Sequence, residues 1–562
     1  MGMRVRWPWV AGVAGLLVAG AVAYLLLARP PVAEMLGLVA AGGERVLRDP
    51  MRDPGDGPRV LVFALDGVGD AELLATVRGG RAPALAALLG TEREPRMFDR
   101  GYAVPGVLSI LPSTTMAAWA SLFTGAGAAH TGIPGNEWFA REEMRYYAPA
   151  PVSVEGHEHA LEAYTDDLLG RVLAVPTVYE RADVRSYVSL SQIYRGADLL
   201  IVPAADEFAG LVAIGVRGLT DADETIDQEA YSELDRAAID DMADAIAEHG
   251  LADLQIVYFP GVDLFTHVAE SAIGTQRSYI AEVIDPAIGR VLELYRQAGA
   301  LDDTYVLVVA DHGHTPVLED DRHALEAEGD DEPVAVLEQA GFRLRPLSIE
   351  LDDDERAFQA TVAFQGAFAY IYLADRSTCA EEGAVCDWWR GPRMDEDVLP
   401  VVRAFDAANR TGAGVPEMQG TLDLILARQP RPPTEDALPF QVWDGDALMD
   451  IGDYLARNPR PDLLEFERRM HALAAGPYGH RAGDVMLLAR SGAQRPIEDR
   501  FYFSGRYRSW HGSPDAQDSR IPLLIAHLRE DGQTLRGRVE AAVGAEPMQE
   551  DIAALILALL GR

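Results

Sequence analysis

Several acidic and imidazole side chains in this sequence have the types and spacing of metal ligands. Asp263 and His267 are four residues apart, which places them on one face of a helix. Asp311 and His312 directly follow one apolar run, and Asp66 ends another. Because zinc binds both carboxylate oxygen and imidazole nitrogen, these residues are candidates for a catalytic zinc site with a position open for water or substrate.

A sixth candidate, His511, lies in the turn Trp-His-Gly-Ser-Pro. Each segment alone is also compatible with a structural histidine whose hydrogen bonds are satisfied in a turn or in the core. Together the six residues suffice for two ions. Two metals about 4 Å apart can hold the attacking and leaving oxygens of an in-line displacement.

Three consecutive hydroxyl residues, Ser113, Thr114 and Thr115, precede a helix that we predict to begin at Met116. Hydroxyl side chains in this position are typical of a helix N-cap. Alternatively, one of them is a nucleophile, because the unpaired N–H groups and the dipole of a helix N-terminus favour negative charge.

The elements that must position these residues are apolar runs that alternate with helical stretches. The runs lie at 60–65, 253–261, 304–313 and 483–490, and the helical stretches, such as 235–250 and 279–299, each end at a glycine. This alternation predicts an α/β fold with a mostly parallel central sheet flanked by helices. In such sheets ligands bind beyond the carboxyl ends of the strands, where the three aspartates fall.

The composition indicates a globular protein larger than one ordinary domain, with 562 residues, 48% hydrophobic and 24% charged. A formal net charge of −39 argues against a nucleic-acid polymer as partner, since phosphates are neutralised by basic residues. The two cysteines, Cys379 and Cys386, predict a local disulfide in an oxidising compartment.

The N-terminus contains 22 uncharged residues at 7–28, preceded by Arg4 and Arg6. This run is long enough for a transmembrane helix, and the arginines predict that the rest of the chain is exported to the periplasm or the extracellular side. A cleaved signal peptide, which would release a secreted protein, is the alternative.

The changes in composition along the chain predict its domain organisation. Acidic runs, the cysteine pair and a proline-rich stretch interrupt the α/β pattern after residue 319. We expect five segments: a membrane anchor or signal segment at 1–28, a linker at 29–57, a first part of the catalytic core at 58–319, an insertion or cap at 320–475, and a second part of the core at 476–562.

The motifs LDG, PSTT, D-x-x-x-H, DHG and HGSP, in this order, resemble those of the alkaline phosphatase superfamily. The branch that they resemble is the type I phosphodiesterase/nucleotide pyrophosphatase family, with its threonine-dependent phosphatase relatives. The resemblance covers about 58–318 and 476–560. It implies a two-zinc hydrolase of phosphate esters, most typically of phosphodiester or pyrophosphate bonds, that forms a covalent phosphothreonine.

By position, the resemblance assigns Thr115 as the nucleophile and Asn136 as a donor to a nonbridging phosphoryl oxygen. It also assigns two sets of metal ligands. The first is Asp263, His267 and His511, and the second is Asp66, Asp311 and His312 together with Thr115.

The sequence departs from the family pattern after the nucleophile, where Thr-Phe-Pro-Asn-His is common and Thr115 is followed by Met-Ala-Ala-Trp. The Lys-x-Arg pair of monoester phosphatases has no counterpart; Arg195 is the one candidate, and a surface arginine is the favoured interpretation. A phosphomonoesterase therefore stays an alternative, as do a phosphoryl-headgroup transferase and a non-catalytic envelope binding protein. His314 is either a neighbour of the ligands or structural, and the position of His480 before a strand argues against ligation.

Overall fold

The structure of the chain is a computed structural model. It describes residues 43–150, 163, 166–202, 228–325, 332–346, 351–352, 355–381 and 383–562. The predicted membrane segment at 7–28 lies outside these residues. Within the described part of the chain, no helix combines the length and the hydropathy needed to cross a bilayer.

Twenty strands are described, and most of the longer ones are buried along their whole length. In chain order they are β1 Gly43–Val46, β2 Arg59–Leu65, β3 Glu92–Glu94, β4 Met97–Phe98, β5 Gly101–Ala103, β6 Trp138–Ala140, β7 Arg145–Tyr147, β8 Ser186–Ser189, β9 Leu199–Val202, β10 Leu254–Phe259, β11 Thr304–Ala310, β12 Thr315–Pro316, β13 Ala360–Gln365, β14 Phe368–Leu373, β15 Leu422–Ala427, β16 Gln441–Trp443, β17 Leu448–Asp450, β18 Val485–Ala489, β19 Ser509–Trp510 and β20 Leu523–Ala526.

The described residues form α-helices of four to 22 residues. They are α1 Asp70–Arg78, α2 Pro83–Leu89, α3 Thr115–Thr124, α4 Ala128–Thr131, α5 Leu168–Val172, α6 Val178–Ala182, α7 Gln228–His249, α8 Gly261–Val268, α9 Ala272–Tyr279, α10 Asp285–Gln297, α11 Glu332–Gln339, α12 Leu399–Thr411, α13 Ile451–Arg457, α14 Phe466–Ala474, α15 Ala516–Ser519, α16 Gly532–Val543 and α17 Ile552–Leu559. Short 3₁₀ or π turns lie at Ile280–Ile284, Leu301–Asp303, Arg376–Thr378, Met394–Val398, Pro416–Met418, Gly479–Ala482, Ile497–Asp499 and Gln549–Asp551.

The central sheet has ten strands in the order β1-β9-β8-β10-β2-β11-β20-β5-β4-β3. Its middle, from β9 to β11, is parallel, as predicted. Beyond β11 the pairs from β20 to β3 are antiparallel, and β1 is antiparallel at the other edge. The sheet is therefore mixed rather than mostly parallel, because the antiparallel strands are too short for the sequence pattern to reveal them.

A second sheet of six strands has the order β13-β14-β18-β15-β16-β17, and all its pairs are antiparallel. The run at 483–490, which we expected in the central sheet, forms β18 in the middle of this second sheet. A strand that is buried on both faces has the same apolar sequence in either sheet, so the pattern could not assign it. The predicted disulfide is confirmed, since Cys379 and Cys386 are bonded.

Candidate active site

The three aspartates lie at the ends of neighbouring strands. Asp66 directly follows β2, Asp311 directly follows β11, and Asp263 lies in the first turn of α8, just after β10. Since β10, β2 and β11 are adjacent and parallel, their carboxyl ends meet at one edge of the sheet. All three residues are at least 97% buried, which raises the cost of leaving their carboxylates unpaired.

One group of potential ligands consists of Asp66, Asp311 and His312, and it adjoins Thr115. The His312 Nε2 atom lies 3.2 Å from Thr115 Oγ1, 3.2 Å from Asp311 Oδ2 and 3.5 Å from Asp66 Oδ1. Imidazole, hydroxyl and two carboxylates therefore converge on one point.

Each of these carboxylates has one oxygen fixed by the protein and one directed into the group. Tyr258 donates its hydroxyl to Asp66 Oδ2, and the backbone N–H groups of Gly67 and His312 donate to Asp311 Oδ1 at 2.9 Å. The other oxygens, Asp66 Oδ1 and Asp311 Oδ2, have no hydrogen-bond partner among the described residues. Their free lone pairs are available to a cation.

The second group consists of Asp263, His267 and His511. The predicted four-residue spacing puts Asp263 and His267 on one side of α8, with His267 Nε2 3.4 Å from Asp263 Oδ2. His511 Nε2 lies 4.0 Å from Asp263 Oδ1. In the part of the chain that the structure describes, neither of these Nε2 atoms has a hydrogen-bond partner.

The backbone fixes the protonation of the three histidines. Each Nδ1 lies 2.9 to 3.1 Å from a carbonyl oxygen, namely that of Ser509 for His267, of Gly313 for His312 and of Ser113 for His511. A carbonyl oxygen only accepts, so Nδ1 carries the proton and the Nε2 lone pair points into the site. This arrangement is typical of metal-ligating histidine.

The electrostatics of the site favour a bound cation. Burial, together with the charge of Asp311, raises the pKa of Asp66 well above its usual value. Burial lowers the pKa of His511 well below its usual value, and the charge of a protonated His312, whose ring centroid lies 3.6 Å from that of His511, lowers it further. A divalent ion would offset the repulsion between the carboxylates and bind neutral imidazole. The donor set and its unpaired atoms fit zinc or a similar ion.

The hydroxyl residues before α3 do not cap the helix. Ser113 Oγ donates to the carbonyl of Ser513 at 3.1 Å, and Thr114, at the N-cap position, makes no side-chain cap bond. Thr115 is the first residue of α3, and its Oγ1 faces His312. Of the three hydroxyls, this one has the position expected of a nucleophile.

Asn136 reaches the same helix N-terminus. Its Oδ1 accepts the backbone N–H of Met116 at 3.1 Å. This bond uses the amide oxygen, so the NH₂ group is the part of the side chain that can donate to an anion beside Thr115. The structure thus brings all the predicted site residues together.

Sequence reasoning did not place His314 and missed Gln365. His314 Nε2 lies 2.6 Å from Asp263 Oδ1, and its Nδ1 lies 3.1 Å from Ser509 Oγ, so it belongs to the site; its spacing from His312 was the available signal. Gln365 accepts the backbone N–H of Asn136 at 2.7 Å, and nothing local in the sequence indicates this.

The other residues that we considered have structural partners elsewhere. Arg195 pairs with Glu180 and donates to three backbone carbonyls, those of Gly170, Leu173 and Val175. His480 pairs with Glu142 at 3.1 Å. The structural interpretation of Arg195 and the exclusion of His480 from the ligands agree with these contacts.

Comparison with known proteins agrees with the resemblance. Residues 60–382 match the sequence model of the type I phosphodiesterase/nucleotide pyrophosphatase family. The chain belongs to this family. As a family member it is a phosphoric ester hydrolase, and the family is metal-dependent. Among curated proteins, none matches the sequence.

Solved structures of two kinds resemble the fold. Murine and human ectonucleotide pyrophosphatase/phosphodiesterase 5 each match with a TM-score of 0.48 and 13% identity, over 90% of this chain and 95% of theirs. Phosphonoacetate hydrolase from Sinorhizobium meliloti, in complex with phosphonoformate, matches with a TM-score of 0.46 and 14% identity, over 90% of this chain and 96% of its own.

Proposed function

We propose that this family member hydrolyses phosphodiester or pyrophosphate bonds of small molecules with two divalent ions, Zn²⁺ by preference, through a covalent phosphothreonine at Thr115. One observation carries the proposal. Two groups of buried carboxylates and histidines, with unpaired atoms directed inward, meet beside a hydroxyl at the start of a buried helix.

Each ion would have its own ligands. One would be held by Asp66, Asp311, His312 and Thr115, and the other by Asp263, His267 and His511. When bound, such ions polarise phosphoryl oxygens and lower the pKa of a coordinated hydroxyl. Neutral imidazole and ionised carboxylate are the forms that bind, so the Nδ1 bonds to backbone carbonyls prepare the histidines for this role.

The residues around Thr115 then account for two displacements. In the first, Thr115 Oγ loses its proton and attacks phosphorus, while the bond from phosphorus to the leaving oxygen breaks and that oxygen takes a proton. In the second, water attacks phosphorus and the bond to Thr115 breaks, which restores the hydroxyl. The α3 N-terminus and the NH₂ group of Asn136 stabilise the negative charge on the nonbridging oxygens in both steps.

The substrate class is tested by rates on matched aryl esters. With zinc present, we expect kcat/KM for bis-p-nitrophenyl phosphate to exceed that for p-nitrophenyl phosphate by about 10-fold or more. A monoester carries a second negative charge that basic residues must bind, and the Lys-x-Arg pair that binds it in monoester phosphatases has no counterpart in this sequence. A nucleoside diester is the third substrate. A ratio below one would favour the phosphomonoesterase instead.

The metal content is tested separately. Protein reconstituted with zinc and freed of excess should retain about two ions per chain, one for each ligand group. Matched variants are Asp263→Ala, which removes a ligand of one group, and Asp70→Ala, which removes a buried carboxylate that pairs with Arg96. Fewer than one ion in the wild-type protein would contradict the proposal.

We also propose that the catalytic body is extracytoplasmic and held at the membrane by residues 7–28. The uncharged run in the sequence and the bonded cysteine pair support this location. Cell fractionation and the N-terminal sequence of the mature protein test it: an intact N-terminus in the membrane fraction supports an anchor, and a new N-terminus after the apolar run in the soluble fraction supports a cleaved signal peptide.

A further inference from the structure

The turn between β13 and β14 brings the second sheet to the candidate active site. It consists of Gly366 and Ala367, directly after Gln365 at the end of β13, and Gly366 has a positive φ of 65°. Two backbone hydrogen bonds hold the turn beside the segment 503–511. Ala367 N–H donates to the His511 carbonyl at 3.2 Å, and Phe503 N–H donates to the Gly366 carbonyl at 2.6 Å.

The side chain of Gln365 holds the peptide that carries Asn136. Gln365 Oε1 accepts the Asn136 N–H at 2.7 Å, and its NH₂ group donates to the Glu137 carbonyl. The backbone partners fix the orientation of the amide, because an N–H can only donate and a carbonyl can only accept. Gln365 is 99% buried, so water does not compete for these bonds.

Gln365 lies so close to two neighbouring segments that only glycine fits at the positions facing it. A Cβ atom on Gly135 would lie 1.9 Å from Gln365 Oε1, and one on Gly512 would lie 2.4 Å from the Gln365 carbonyl. Gln365 is therefore packed directly between the Asn136 segment and the segment that follows His511. Because the surroundings of Gln365 are close-packed, a change in this side chain displaces its neighbours.

We propose that Gln365 is a positioning residue for the hydrolytic reaction: from the second sheet it holds Asn136 so that the carboxamide of Asn136 can donate to the transferring phosphoryl group. This inference rests on the proposed function. Gln365 itself contacts the backbone of Asn136 and Glu137, and acts on the substrate through Asn136. Because the donor must meet charge that develops during the displacement, a small shift of Asn136 lowers kcat more than it raises KM.

The experiment compares Gln365→Leu with a matched variant, Gln359→Leu, in the full-length, zinc-loaded protein on bis-p-nitrophenyl phosphate. Gln359, which directly precedes β13, is also a buried glutamine, and it bonds to backbone atoms of Arg343 and Cys379, away from Asn136. We expect Gln365→Leu to lose roughly 10- to 100-fold in kcat, with KM within about threefold. Gln359→Leu should keep wild-type kcat.

A double-mutant cycle separates positioning from general destabilisation. If Gln365 acts through Asn136, adding Gln365→Leu to Asn136→Ala should lower kcat by less than about threefold further, since the interaction is already lost. Should Gln365→Leu fail to fold, Gln365→Asn replaces it, because the shorter carboxamide stays neutral and polar but cannot reach both backbone groups of residues 136 and 137, and the same loss of kcat is expected.

Each outcome has a defined meaning. An active wild-type protein whose kcat is unchanged in Gln365→Leu, or whose two losses multiply fully in the double mutant, overturns the inference and leaves the proposed function intact. Equal losses in Gln359→Leu and Gln365→Leu overturn it as well. A zinc-loaded wild-type protein with no activity on any of the three esters overturns the proposed function, and the inference with it.

Discussion

Two clusters of buried charged groups, one at the end of the central sheet and one beside the second sheet, differ in how they are paired. At the end of the central sheet, Asp66 and Asp311 each leave one buried oxygen without a partner among the described residues. Beside the second sheet, the buried guanidinium of Arg428 donates to the carbonyls of Leu438, Ala474, Gly479 and Gly483. A buried carboxylate oxygen without a partner is costly unless a ligand binds it, which fits the proposed metal site, whereas the paired guanidinium stabilises the fold.

The largest expected effect that tests this contrast is the loss of the nucleophile. Thr115→Ala should lower kcat/KM by roughly 10⁴-fold, because the covalent route is removed while the rest of the site remains. Zinc content should be unchanged, since six other ligands stay in place. The matched control is Ser121→Ala, which removes a buried hydroxyl from the same helix and should keep wild-type activity. Comparable losses in both variants would contradict a special role for Thr115.

Removal of metal should affect the segments that carry the candidate ligands more than it affects the second sheet. Dialysis against EDTA should abolish turnover and lower stability, by about 4 kcal/mol relative to free zinc at about 1000 times its Kd. Hydrogen exchange should rise in α8 and around β19, which carry or adjoin the candidate ligands, and stay unchanged in β15 and β16. Adding zinc back should restore turnover and stability. Equally faster exchange in β15 and β16 would contradict this prediction, because the stabilisation by metal would then not be local to the candidate ligands.

The next test removes Arg428, the buried and paired cation beside the second sheet, and should change stability rather than activity. Burial lowers the pKa of Arg428 to about 10, which leaves it charged at neutral pH. Arg428→Met should cost roughly 3 kcal/mol of unfolding free energy, since several carbonyls lose their donor, while kcat of the folded protein stays within about twofold. Urea unfolding measures this. Arg431→Met, at an exposed ion pair with Glu435, should cost less than about 0.5 kcal/mol.

A smaller effect, on the pH dependence of stability, is expected from the buried carboxylate of Asp235 in α7, on the central-sheet side. Its carboxylate accepts the N–H of Gly261 and the hydroxyl of Tyr279, at 3.2 and 2.8 Å. Burial nevertheless raises its pKa from 3.8 to about 7. The folded state therefore binds the proton more tightly than the unfolded state, and this group lowers stability as pH rises from about 4 to about 7.

Asp235→Asn should remove that penalty. We expect the variant to be more stable than the wild type by roughly 2 kcal/mol above pH 8, after the weaker bond to Tyr279 is allowed for, and to show no gain near pH 4. Thermal unfolding across this pH range measures the difference. Asp240→Asn, at an exposed ion pair with Arg290 on the same helix, should show no such gain; equal profiles would refute burial as the cause.

Local signals predicted much of the fold and most of the residues that converge at the candidate site. The run at 60–65 formed β2, and the glycines at 250 and 299 followed helices that end at His249 and Gln297. The spacing of Asp263 and His267 placed both on one side of α8 because a helix fixes that geometry within one turn. The assignment of β18 to the central sheet was wrong, since strand pairing depends on partners far along the chain.

The sequence by itself determined which residue types were available: ordered aspartates and histidines at the ends of apolar runs, and hydroxyls before a helix. Only the tertiary structure decided that Thr115, rather than Ser113 or Thr114, faces His312, and that Gln365 holds Asn136 across 229 residues of chain. The physical reason is range. Helix and strand periodicity act over a few residues, whereas the contacts that complete the site depend on how two sheets pack together.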